Sequence, residues 1–136
     1  MALNILVVDD SATTRTMVAR TLAMGGVPIG QVHQASNGRE GLDTLDRERI
    51  DIVFVDINMP VMNGIEMIDT LRQKPELAAM PIVVISTESS ETRIDEVRRK
   101  GVEFIHKPFT PERVHEVMQS LLGEFQHADT EADARF

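Results

Sequence analysis

Three runs of mostly β-branched apolar residues, Ile5-Leu6-Val7-Val8, Ile52-Val53-Phe54-Val55 and Ile82-Val83-Val84-Ile85, constrain this chain more than any other feature. Each is too short for a helix and has no polar position, so each reads as a strand buried on both faces. Weaker runs at Gln31–Ala35 and Glu103–His106 carry polar residues and suit positions nearer a sheet edge. Helical patterns separate the runs. Ser11 can cap a helix on which Met17, Val18, Thr21 and Leu22 recur at helical spacing, and Gly25-Gly26 with Pro28 stops it. Leu42 and Leu45 follow the Asn37-Gly38 turn, and Ile65, Ile68 and Leu71 mark a further helix ending before Pro75. The segment Ser89 to Lys100 has only Ile94 and Val97 as apolar anchors and is expected to be lightly held. Thr110-Pro111 opens the last helix, with Val114, Val117, Met118 and Leu121 as its stripe.

Strands alternating with helices imply a parallel sheet covered on both faces. For a doubly wound five-stranded α/β sheet the common order is flavodoxin-like, 2-1-3-4-5. That order makes the first and third strands neighbours and puts a switch-point crevice at their C-terminal ends. The 136 residues suit one domain, expected over residues 1–123, with a polar, acidic tail from Glu124 to Phe136. No cysteine is present, which removes disulfides and thiolate metal sites. Met1-Ala2-Leu3-Asn4 is not a basic leader and no apolar run approaches membrane-spanning length, so a soluble cytoplasmic protein is expected. The net charge of −8 argues against a nucleic-acid surface, which needs clustered basic residues.

The crevice has an unusual chemical inventory. The first strand ends in Asp9-Asp10 and the third in Asp56, followed by Ile57-Asn58-Met59-Pro60 and Gly64. Capping of the following helix by Asp9-Asp10 is the plain alternative, but Ser11 already supplies a cap. Two acids about 4 Å apart repel by about 4 kcal/mol at an effective dielectric near 20. Such a cluster needs a proton, a cation or a basic partner. Oxygen ligands without His or Cys favour a hard cation, Mg²⁺ before Ca²⁺. Acids in the place where nucleotide and flavin binders put Gly, Ser and Thr argue against free phosphate or flavin binding.

The fourth strand ends in Ser86-Thr87 and the fifth in Lys107-Pro108-Phe109. Lys107 can supply one countercharge to the acids, and its bond to Pro108 is a candidate for the cis form. A carboxylate can accept a phosphoryl group if the transferring oxygens are neutralised and the attack is held in line. Mg²⁺ on Asp10 and Asp56 would serve one side, and Lys107 with the Ser86 hydroxyl the other. An ionised carboxylate needs no general base.

Leu6-Val7-Val8-Asp9-Asp10-Ser11, Asp56-Ile57-Asn58-Met59-Pro60 with Gly64, Ile85-Ser86 and Phe104-Ile105-His106-Lys107-Pro108-Phe109 together resemble the receiver domains of bacterial response regulators, in particular the single-domain chemotaxis type. The likeness extends over residues 4 to 122. It implies that Asp56 accepts a phosphoryl group from a sensor histidine kinase. It further implies that Asp10 binds Mg²⁺ directly, Asp9 mainly through water, and Asn58 through its backbone carbonyl. Ser86 and Lys107 would engage the phosphoryl group. Phe104 falls at the family's aromatic switch position, where movement of the hydroxyl residue lets the ring turn inward; an ordinary core aromatic is the alternative. Thr87 stands where the family often has Ala or Gly and is expected to narrow access to the acyl phosphate. Asn58 and Glu88 occupy the variable flanking positions, as in short-lived chemotaxis receivers.

The expected protein is thus a monomeric switch of a two-component system, not an enzyme, that takes phosphoryl groups from small donors and loses them by itself. It would signal to a protein target through the face built from the fourth helical segment, the fifth strand and the last helix. A phosphorelay intermediate fits the same residues. A Mg²⁺-dependent phosphatase with an aspartyl nucleophile fits less well, because that family wants Asp-x-Asp and a cap domain, whereas Asn58 follows Asp56 here.

Overall fold

Strands β1 (Leu3–Val8), β2 (Ile29–Ala35), β3 (Ile52–Val55), β4 (Ile82–Ser86) and β5 (Glu103–His106) alternate with helices α1 (Ala12–Met24), α2 (Gly38–Arg47), α3 (Gly64–Gln73) and α4 (Glu91–Arg98). A last helix, α5, covers 111–121. This computed structural model describes residues 2–121, so the expected boundary at 123 and the tail from Glu124 lie outside the described residues. The strands form one parallel sheet in the order β2-β1-β3-β4-β5. The expected topology is the observed one, with β2 and β5 at the edges.

Alternation along each strand sorts the core into two layers. Leu6, Val8, Val53, Val55, Ile82, Val84 and Phe104 face α2, α3 and α4, where Leu42, Met67, Ile68, Leu71 and Val97 cover them. Ile5, Val7, Ile52, Phe54, Val83, Ile85 and Ile105 face α1 and α5, covered by Val18, Leu22, Val114, Val117 and Met118. The central strands are buried along their whole length, which is why their sequences are continuously apolar.

Each helix starts at the C-terminal lip of the sheet under a side-chain cap. Ser11 accepts the Thr14 N–H, Asn37 the Glu40 N–H and Ser90 the Arg93 N–H. Asn63 and Glu66 form a reciprocal capping box on α3. α4 buries only Val97 completely, in keeping with its sparse apolar pattern.

Some sequence expectations need correction. Met17 does not belong to the apolar stripe: α1 packs through Val18 and Leu22, and Met17 is 59% exposed. β1 and β2 each begin two residues earlier than their apolar runs, pairing Leu3 with Ile29. Asn4 and Gly30 obscure that extension in sequence, and the Asn4 side chain serves it by accepting the Gln31 N–H. The chain after α3 also forms a 3-10 turn, Pro75–Leu77, for which no apolar periodicity gives a signal.

The loop between β3 and α3 carries local strain. Met62 N–H donates to Pro60 C=O at 2.7 Å, closing a three-residue turn around Val61, whose φ is +67°. A β-branched residue pays about 1–2 kcal/mol to adopt this left-handed conformation. Glycine would avoid that but lose about 0.5–1 kcal/mol more chain entropy on folding. Because Val61 is exposed and packs little, Val61→Gly is expected to stabilise the protein by about 0.5–1 kcal/mol, read from its denaturation midpoint.

Candidate functional site

Sheet register assembles the site. Val8 pairs with Val55 and Val55 with Val84, so the next residues on the two inner strands, Asp9 and Asp56, emerge side by side. The last rungs fix them: Asp56 N–H donates to Val8 C=O and Asp9 N–H to Ala35 C=O, both at 3.0 Å. On the other side Ser86 pairs with His106, which places Lys107 one step beyond the sheet. The Lys107–Pro108 bond is cis.

Lys107 Nζ lies 3.3 Å from Asp56 Oδ2 and 3.8 Å from Asp9 Oδ2, and so bridges the two acids. Asp56 Oδ1 accepts the Ile57 N–H at 2.7 Å. Asp9 Oδ1 accepts the Ser11 N–H at 2.9 Å. Asp9 is buried, Asp56 is half-buried, and Asp10 and Asn58 are exposed at the rim. Ser86 is completely buried, and its Oγ accepts the Glu88 N–H at 3.1 Å. Thr87 beside it is exposed, while the Glu88 carboxylate turns to α4, accepting the Ser90 N–H and lying 3.6 Å from Arg93 Nε.

Phe104 is 4% exposed and belongs to the core layer under α4, with the Arg98 guanidinium 5.9 Å from its ring centre.

Arg15 is a further residue of the site, beyond those expected from the sequence. It lies one turn beyond the Ser11 cap, donates to Asp9 C=O at 2.6 Å and to Gln34 Oε1 at 2.9 Å, and ties the acidic corner to β2. Its position four residues after the cap was the available signal, since one turn of helix returns the chain to the same face.

Burial pushes the Asp9 carboxyl above its ordinary value, and the Asp56 and Asp10 charges push the same way; the Ser11 N–H and Lys107 oppose them without cancelling the effect. This crowding fits a cation. The donors are all oxygen, and among the described residues no group of three or more His, Cys, Asp and Glu side chains is placed to hold an ion alone. An ion here would complete its shell with water and backbone oxygen, which is the habit of Mg²⁺ rather than of Ca²⁺ or Zn²⁺.

The raised Asp9 value has a stability consequence. The folded state holds this proton more tightly than the unfolded chain, so the cost of burying the charge is full above the raised value. It is relieved as pH falls through that value and is gone below the ordinary 3.8. Glu40 acts in the opposite sense, its carboxyl held low by the Ser36 N–H and hydroxyl, so a variant-minus-parent difference isolates Asp9. Asp9→Asn is expected to raise the thermal midpoint of the metal-free protein at pH 7 by a few degrees, an advantage that shrinks on acidification.

The family model of the response regulator receiver domain matches residues 5–119. A chemotaxis protein CheY homolog of Campylobacter jejuni is 35% identical over 123 residues, 89% of this chain and 93% of the relative. Chemotaxis protein CheY1 of Helicobacter pylori is 33% identical, covering 89% of this chain and 98% of its own. Among solved structures, the chemotaxis response regulator CheY4 of Vibrio cholerae superposes with a TM-score of 0.76 at 34% identity, over 88% of this chain and 98% of that one.

Proposed function

Because the chain belongs to the response regulator receiver domain family, we propose that Asp56 is its phosphoacceptor, taking a phosphoryl group from a phosphohistidine on a sensor kinase. The observation that carries this reading is the Asp56 Oδ2–Lys107 Nζ approach of 3.3 Å beside the buried Asp9. The Ile57 N–H holds Oδ1, which leaves Oδ2 as the attacking atom on the lysine side. Oδ2 forms the new P–O bond as the P–N bond of the donor breaks, and the departing imidazole keeps the electron pair. Lys107 follows the charge onto the phosphoryl oxygens, and a turn of the Ser86 side chain would bring its hydroxyl to another. Asp10, Asp56 and the Asn58 carbonyl would hold Mg²⁺, with Asp9 reaching it mainly through water, and the ion's contribution would be to neutralise phosphoryl oxygen charge.

Thr87 stands at the mouth of the site and narrows access to the acyl phosphate. The output is a protein–protein contact of the chemotaxis type. Its surface is a groove of about 530 Å³ between α4 and the start of α5, lined by Ile94, Arg98, Phe104, His106 and Arg113. Among the described residues no helix is long and apolar enough to cross a membrane. Intact-mass measurement after incubation with acetyl phosphate tests the central step. Gain of one phosphoryl group, abolished by chelation of divalent ions, is expected; an unchanged mass in the presence of Mg²⁺ would sink the reading.

A further inference from the structure

α4 is held very differently at its two ends. At the C-terminal end, Arg72 of α3 donates from Nε to Lys100 C=O at 3.3 Å and from Nη2 to Gly101 C=O at 3.2 Å. Lys100 Nζ adds an ion pair to Asp69 at 2.7 Å. At the other end the connection to the site is a short relay. Ser86 Oγ accepts the Glu88 N–H, Glu88 Oε1 accepts the Ser90 N–H at 3.2 Å, and Ser90 Oγ accepts the Arg93 N–H at 3.4 Å. Arg93 then folds back, its Nε 3.6 Å from Glu88 Oε2, buried and with no hydrogen-bond partner among the described residues.

We propose that Arg93 is a positioning residue for the Ser86 hydroxyl: by holding the Glu88 carboxylate against the first turn of α4, it keeps the Glu88 N–H on Ser86 Oγ. Accepting the Glu88 N–H holds Ser86 Oγ in its present place, and turning the side chain toward a phosphoryl group on Asp56 works against that bond. Releasing it means loosening a loop fastened to α4 by both carboxylate oxygens of Glu88. The Arg93–Glu88 pair therefore sets the fraction of molecules in which the hydroxyl is free, and it couples that freedom to the N-terminal end of α4, the end without the Arg72 tie. The pair is partly exposed, so its effect is that of a surface ion pair, about 2- to 5-fold in an equilibrium. This inference rests on the phosphoacceptor reading of Asp56 for its consequence, though not for the relay itself.

Amide hydrogen exchange of Glu88, followed by NMR without donor or Mg²⁺, tests the relay directly. Arg93→Ala is expected to lower Glu88 protection about 2- to 5-fold, Arg93→Lys to retain most of it, and Glu88→Gln to lower it with no further loss in the double variant. Under acetyl phosphate and Mg²⁺, Arg93→Ala should be phosphorylated about 2- to 5-fold faster at limiting donor, with Arg93→Lys close to the parent. Unchanged Glu88 protection in Arg93→Ala, or additive losses in the double variant, would overturn the proposal. If the parent itself took up no phosphoryl group, the phosphoacceptor reading would fail while the exchange data still decided the relay.

Discussion

With Asp56 replaced by Asn, incubation with acetyl phosphate and Mg²⁺ is expected to leave the mass of the protein unchanged, where the parent gains one phosphoryl group. The amide has no anionic oxygen to form the acyl phosphate, so the yield should fall by roughly 100-fold or more. The substitution keeps the shape of the side chain and the acceptor for the Ile57 N–H, so the fold should survive. It also removes one of the charges that hold the Asp9 carboxyl up, and leaves Lys107 with Asp9 as its remaining acid partner. The variant should therefore be at least as thermostable as the parent in the absence of metal. A stable Asp56→Asn protein that still gained the phosphoryl mass would place the acceptor elsewhere, and the peptide carrying it would identify where.

The carboxylate corner was legible in sequence because register, not side-chain conformation, creates it. Once β1 and β3 are adjacent parallel strands of equal apolar length, Asp9 and Asp56 must leave the sheet together. Lys107 is nearly as constrained, since β5 ends against β4 and the chain turns at once. Side-chain choices within that frame were not legible. Ser86 can bond a loop N–H or a ligand, and only the structure shows it bonded to Glu88. The Phe104 ring is likewise placed by packing, in the core layer beside the Arg98 guanidinium. Arg72 gave no signal either. Its guanidinium serves four backbone carbonyls, of Ala78, Met80, Lys100 and Gly101, with no acid partner among the described residues for a charge pattern to reveal.

Gly64 makes the strongest demand on a single side chain, and its substitution carries the largest expected cost to stability. It opens α3, its N–H donates to Ile57 C=O at 2.8 Å, and a Cβ built on it would collide with the Asp56 carbonyl oxygen. The Asp56 carbonyl carbon and Ile57 Cα follow at 3.0 Å. These neighbours are backbone, fastened on one side by the rung from Asp56 N–H to Val8 and on the other by the helix itself, so neither can yield without moving Asp56. Gly64→Ala is expected to cost about 3 kcal/mol, near the upper end for overpacking, and to lower the thermal midpoint by about 10 °C. Phosphorylation of the surviving folded protein should fall as well, because the strain relaxes through the segment that aims Asp56 at Lys107. Gly101→Ala provides the control. Its φ of +76° makes alanine unfavourable, but among the described residues beyond its chain neighbours no atom lies within 4 Å of the added carbon, and the position is remote from the acids. It should lose about 1 kcal/mol and phosphorylate normally. Equal stability losses in the two variants, or a Gly64→Ala protein with parental phosphorylation, would mean that the close approach of α3 to the Asp56 backbone does not hold Asp56 in place.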